Sequence, residues 1–110
     1  MSYDKHGRGV IASLLVHADL IKKGYQVFIE DTSQGLIDMV AVHIETGEIK
    51  LIDVKCISKR EDGSMVYRIL SDNQRSFEEK TGQKIDLVYA DTDTYEIKYS
   101  SRREKRKKVA

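Results

Sequence analysis

Leu36-Ile37-Asp38-Met39-Val40-Ala41-Val42, the turn Glu45-Thr46-Gly47-Glu48, and Ile49-Lys50-Leu51-Ile52-Asp53-Val54-Lys55 decide how this chain folds. Two Val/Ile/Leu-rich runs flank a glycine-containing turn, the pattern of adjacent strands joined as a hairpin. Both are apolar at most positions, so they belong to a central sheet covered on its two faces. Side chains alternate faces along a strand, which puts Asp53 and Lys55 on one side and Val54 on the other. An acid among apolar strand residues is costly to bury alone, and here two acids and a base arrive together. Antiparallel pairing brings Asp38 beside Asp53. That alignment implies a two-residue loop at Glu45-Thr46, whereas Gly47 asks for a longer turn. A one-residue slip would send the acids to opposite faces, so a bulge at Gly47 is expected to absorb the difference.

Upstream, after a polar start with Lys5, His6 and Arg8, apolar residues recur at Ile11, Leu14, Leu15, Ala18 and Ile21, one face of a helix from about Gly9 to Lys23. Gly24 is its stop, and Lys22 and Lys23 suit the negative end of the helix dipole. Tyr25–Ile29 is a first strand and residues 31–35 a loop. Downstream, residues 59–63 form a charged loop, and residues 65–70 read as extended or irregular. Ser71 followed by Gln74 fits a capping box, which starts a helix ending at Gly82. Ile85–Ala90 is a strand, residues 91–94 a turn, and residues 95–99 a last strand. The expected architecture is an α/β fold of the order helix, three strands, helix, one or two strands, with a central mixed sheet flanked by helices.

With 110 residues the chain fits one domain, expected over residues 1–100, followed by a flexible basic tail at 101–110. No apolar run approaches the roughly 18 residues of a membrane helix, so no membrane partner is expected. No secretory leader is read, and the single cysteine, Cys56, cannot form an internal disulfide; both suit a reducing cytoplasm. The net charge of +1 hides an asymmetry. Residues 102–108 hold six bases, Arg102 and Arg103 among them, and one acid, leaving 13 bases against 17 acids elsewhere. A basic tail on an acidic body is expected where flexible cations neutralise phosphates while the body offers carboxylates to metal.

An acid two residues before a lysine occurs four times, at Glu48/Lys50, Asp53/Lys55, Glu78/Lys80 and Glu96/Lys98. Spacing alone therefore selects nothing. Glu78 and Lys80 fall in a helix, where positions two apart face different ways. Glu48 lies at the hairpin turn, far from Asp38. Asp86 with Glu96 and Lys98 is the serious competitor, because residues 84–90 echo residues 35–41. If Asp38 and Asp53 converge, they suit a hard, oxygen-preferring cation such as Mg²⁺ or Mn²⁺, which acidifies a bound water and offsets charge building on a phosphate. Lys55 beside it would orient that water or stabilise the transition state.

The arrangement resembles the PD-(D/E)XK nuclease superfamily over roughly residues 5–90. The resemblance implies a restriction-endonuclease-like core, metal-binding roles for Asp38 and Asp53, and a catalytic role for Lys55. Residues Gly9 through Gly24-Tyr25 and the following strand are similar to archaeal Holliday junction resolvases. Leu70-Ser71-Asp72-Asn73-Gln74-Arg75-Ser76-Phe77 is similar to the helix start that carries a glutamine in VRR-type nucleases, which makes Gln74 a candidate active-site residue; its alternative role is an ordinary cap. The chain departs from these relatives at Ser13, where they carry a glutamate on the first helix. A hydroxyl is a weak metal ligand, so either one metal held by Asp38 and Asp53 suffices, or Glu30, Asp19 or His17 substitutes, or activity is reduced; the single metal is the favoured expectation.

The function expected is a metal-dependent DNA endonuclease acting on branched or otherwise structured DNA, working as a homodimer. Lys5, Arg8, Lys59, Arg60, Arg75, Arg102 and Arg103 are its candidate phosphate contacts. The alternative is a catalytically silent nucleic-acid-binding module on the same fold.

Overall fold

The computed structural model describes residues 5–31 and 35–99. The chain runs α1 (Lys5–Lys22), β1 (Tyr25–Ile29), β2 (Met39–His43), β3 (Ile49–Cys56), α2 (Asp72–Thr81), β4 (Ile85–Ala90) and β5 (Ile97–Tyr99). The strands form one five-stranded sheet in the order β1-β2-β3-β4-β5. All neighbours are antiparallel except β3 and β4, which are parallel. This is the expected α/β architecture with a mixed sheet. The parallel step follows from α2, since the crossover through residues 57–84 returns the chain to the end of the sheet where β3 begins.

α1 starts at Lys5 rather than near Gly9, because its first turn is polar and carries no apolar periodicity. Its buried stripe is Ala12, Val16 and Leu20, spaced four apart. The expected face is thus rotated: Ile11 and Leu15 flank the stripe, while Leu14 and Ile21 face solvent. Apolar residues cover so much of the helix circumference that periodicity fits several stripes, and the sheet selects the one carrying the small Ala12. Gly24 turns the chain from α1 into β1 at φ 94°, where a Cβ would stand 3.2 Å from His43 Nε2.

Two apolar layers sandwich the sheet. Ala12, Val16 and Leu20 pack on Met39, Ala41, Ile52, Val88 and Ala90. On the other face Ile57, Leu70, Ile85, Leu87 and Tyr89 form a second cluster, with Phe77 of α2 packed against it. α2 is held by a complete capping box: Ser71 Oγ accepts from Gln74 N–H, and Gln74 Oε1 accepts from Ser71 N–H at 3.0 Å.

The β2–β3 ladder pairs Met39 with Ile52 and Val42 with Ile49. His43 N–H donates to the Glu48 carbonyl, and Gly47 N–H to the His43 carbonyl, closing a loop of residues 44–47 with Gly47 at φ 76°. The loop is longer than the two residues first expected, but it is even in length. Register therefore keeps the same parity, and no bulge is needed at Gly47. The irregularity lies at the other end of β2, at Asp38.

Candidate functional site

Asp38 sits where β2 leaves the ladder. Its N–H donates to the Ile52 carbonyl at 2.8 Å, the carbonyl of the residue that pairs with Met39. Two consecutive residues thus face one, the bonding pattern of a β-bulge, which turns a side chain out of its regular direction. The Asp38 carbonyl accepts from Glu30 N–H at 3.0 Å, and its carboxylate takes the Val54 N–H at 2.7 Å. One residue therefore ties the ends of β1, β2 and β3 together while its carboxylate is aimed between them.

Asp53 lies mid-strand in β3 and is 7% exposed. Its Oδ2 meets Lys55 Nζ at 3.3 Å on the same face of the strand. The same oxygen accepts from Gln74 Nε2 at 3.0 Å, and that amide nitrogen also donates to the Leu36 carbonyl at 2.8 Å. The Gln74 oxygen thus makes the cap read for it, while its nitrogen holds a buried carboxylate. Gln74 is itself buried, as a side chain with all its hydrogen-bonding groups engaged can be.

Asp53 lies close enough to perturb Asp38. Burial, then a hydrogen bond and the charge of Asp53, push the Asp38 carboxyl up to about 6, against the lowering pull of Val54 N–H and Lys55. Crowded carboxylates of this kind cannot both ionise without cost. Asp38, Asp53, Lys55 and Gln74 are therefore brought together at one end of the β2–β3 pair.

Asp38 also lines a groove of about 490 Å³ beneath the N-terminal half of α1, with Lys5, His6, Ser13, His17 and Glu30 around it. Ser13 thus occupies the groove. Of its three possible substitutes, His17 and Glu30 lie here, Glu30 accepting from Gly35 N–H at 3.2 Å. Asp19 does not; it pairs with Lys23 at 2.9 Å and accepts from the Tyr99 hydroxyl. Among the described residues, no group of three His, Cys, Asp or Glu side chains is arranged to hold a metal.

The basic candidates are dispersed. Lys5 lines the groove and Arg8 is exposed on α1. Lys59 and Arg60 are exposed after β3, with Arg60 donating to the Met65 carbonyl at 3.1 Å. Arg75 pairs with Asp72 on α2. Arg102, Arg103 and the expected tail lie outside the described residues.

The competing acid–lysine pairs separate from the site. Glu48 bonds the Tyr25 hydroxyl at 2.8 Å and faces Lys50 at 3.6 Å on the hairpin surface. Asp86 alternates with Ile85 and Leu87 and shares the face of Val88, whereas Lys98 pairs with Tyr89 on the opposite face. Glu78, dismissed as half of a helix pair, is buried and accepts from Ile85 N–H at 2.7 Å, fixing the start of β4. Sequence reasoning also missed the Val54 N–H, since no side-chain pattern marks a backbone donor.

Neither a protein-family model nor a curated protein matches the chain. Among solved structures, it is similar to a bacterial homing endonuclease, with a TM-score of 0.62 and 17% identity over 91% of this chain and 66% of the endonuclease. The chain thus spans about two thirds of that endonuclease's length. A likeness at this identity establishes a shared fold. No described helix is long and apolar enough to cross a membrane.

Proposed function

We propose that the chain is a divalent-metal-dependent DNA endonuclease acting on branched or otherwise structured DNA. The convergence of Asp38, Asp53 and Lys55 carries this reading, and the fold shared with a homing endonuclease supports it. The donors suit Mg²⁺ or Mn²⁺: two carboxylates of hard oxygen match a cation held by one or two carboxylates that keeps several waters. Asp38 and Asp53 would hold it, and when bound it supplies an acidified water and charge neutralisation at the phosphate.

The remaining work falls to the chain's own groups. Gln74 and Lys55 fix Asp53 from two sides, so its carboxylate is preorganised. Val54 N–H fixes Asp38. Lys55 keeps about a third of its side chain in solvent, where Nζ can reach a phosphate oxygen or the attacking water. Hydrolysis adds that water's oxygen to phosphorus and releases a sugar oxygen, which takes a proton. Lys5 and the other dispersed bases track flanking phosphates, giving register without sequence. Cutting both strands of a duplex takes two sites, which a twofold homodimer supplies.

Purified protein is expected to cut plasmid and four-way junction DNA with Mg²⁺ or Mn²⁺ and not in chelator. Substrates left intact, identically to Asp53→Ala, contradict the reading. Ser13, in place of a carboxylate in the groove, favours a second reading, a silent DNA-binding module. That reading requires salt-sensitive binding that survives Asp38→Ala and no cleavage with any metal.

A further inference from the structure

The segment between β3 and α2 has a pinned backbone and yet turns large apolar side chains outward. Val66 N–H donates to the Ser58 carbonyl at 2.8 Å, Lys59 and Met65 form a β-bridge, and Arg68 N–H donates to the Tyr89 hydroxyl at 2.8 Å. Leu70 closes the segment in the core. Between these anchors Tyr67 is 57% exposed and Ile69 78% exposed. Apolar groups held outward on a fixed backbone make a surface ready for a partner, because binding need not order them first.

The chemistry around them selects the partner. Tyr67 meets Tyr89 edge to face, with ring centroids 5.7 Å apart, and the Lys98 ammonium lies 5.4 Å from the Tyr67 centroid. Lys59 and Arg68 are exposed on the same segment. A largely exposed aromatic ring among cations complements a nucleotide, the cations meeting phosphate and the ring meeting a base. Position adds a constraint. Tyr89 pairs with Lys55 across β3 and β4, so Tyr67 rests on the immediate neighbour of the lysine in the candidate site. Bases in a regular duplex are stacked on one another, and an aromatic platform serves only a base that has left the stack.

We infer that Tyr67, with Ile69 beside it, is a stacking platform for an unpaired base next to the scissile phosphate. The site accordingly takes DNA that is single-stranded or splayed at the cut. The word scissile rests on the endonuclease reading; the platform is a binding surface and is measured without cleavage.

The test compares wild type, Tyr67→Ala, Tyr67→Phe and Ile69→Ser by fluorescence anisotropy with Ca²⁺ in place of Mg²⁺. The probes are a duplex with a short single-stranded gap carrying 2-aminopurine and a continuous duplex of the same sequence. Tyr67→Ala is expected to lose roughly five- to a hundredfold in affinity for the gapped DNA, in line with the removal of one base–aromatic stack. It should bind continuous duplex as wild type does. Tyr67→Phe retains the affinity, and 2-aminopurine emission is quenched by wild type and Tyr67→Phe alone. If Tyr67→Ala melts early, Ile69→Ser and the quenching decide. Equal binding of gapped DNA by wild type and Tyr67→Ala, or a loss of equal size on both DNAs, overturns the inference. Cleavage by wild type together with an inert platform removes the inference and leaves the endonuclease. A working platform without cleavage in any metal does the reverse.

Discussion

Gln74 Nε2 stands 3.0 Å from Asp53 Oδ2, joining the first turn of α2 to the middle of β3 across 21 residues of chain. The same side chain caps the helix through its oxygen, so the position of α2 and the orientation of the carboxylate are set by one amide. Gln74→Glu separates the two roles. A glutamate preserves the capping box but replaces the donor with a third carboxylate beside Asp38 and Asp53. Stability at neutral pH is expected to fall by about 1–3 kcal/mol, the cost of a buried polar group left without its partner. The deficit should shrink toward pH 5, where a proton relieves the repulsion. Urea melts at the two pH values check this; a deficit independent of pH contradicts it.

Asp38 titrates near 6 in the folded chain against 3.8 as its ordinary value. The folded state therefore binds more protons than the unfolded state between those values, and stability falls as pH rises through that window. The contribution is fully present below about pH 4 and is lost above about pH 6. Asp38→Asn keeps an oxygen for Val54 N–H and carries no charge. It is expected to be more stable than wild type at pH 8, with the advantage vanishing near pH 4, and to be inactive. This is the stability cost common in functional sites. Metal-free denaturation curves across that range measure it, and wild type matching Asp38→Asn throughout would sink the assignment.

Lys55→Gln removes the ammonium 3.3 Å from Asp53, while Gln74 continues to hold that carboxylate. The variant should fold and bind DNA, but its single-turnover cleavage rate should fall on the order of a hundredfold or more, as for loss of one preorganised transition-state donor. Weaker binding with an unchanged rate would place Lys55 outside the chemistry.

Gly24→Ala tests the turn that delivers β1 to the sheet. Its φ of 94° and the 3.2 Å approach of His43 Nε2 leave no room for a methyl without strain. A loss of more than about 1 kcal/mol is expected, the usual scale for alanine in the left-handed region. Wild-type stability would show that the turn relaxes.

Element order was legible because each boundary has a local cause: Gly24 after α1, Gly47 in the hairpin and Ser71 with Gln74 at the start of α2. The pairing of Asp38 with Asp53 was legible only in part. Period-two alternation places Asp53 and Lys55 on one face, but the bulge that turns Asp38 depends on the Asp38 N–H reaching the Ile52 carbonyl, a backbone contact without a sequence mark. The buried stripe of α1 was misplaced because Leu14 and Ile21 are as apolar as the residues that are buried. The burial of Glu78 was not legible either, since the acceptor it offers to the Ile85 N–H depends on where β4 begins in space.

Asp38 and Asp53 are expected to hold one cation between them. Calorimetric titration of Mn²⁺ into wild type, Asp38→Ala and Asp53→Ala tests it most directly. One ion per chain is predicted for wild type, with heat abolished in both variants while they remain folded. Equal binding by all three would contradict it.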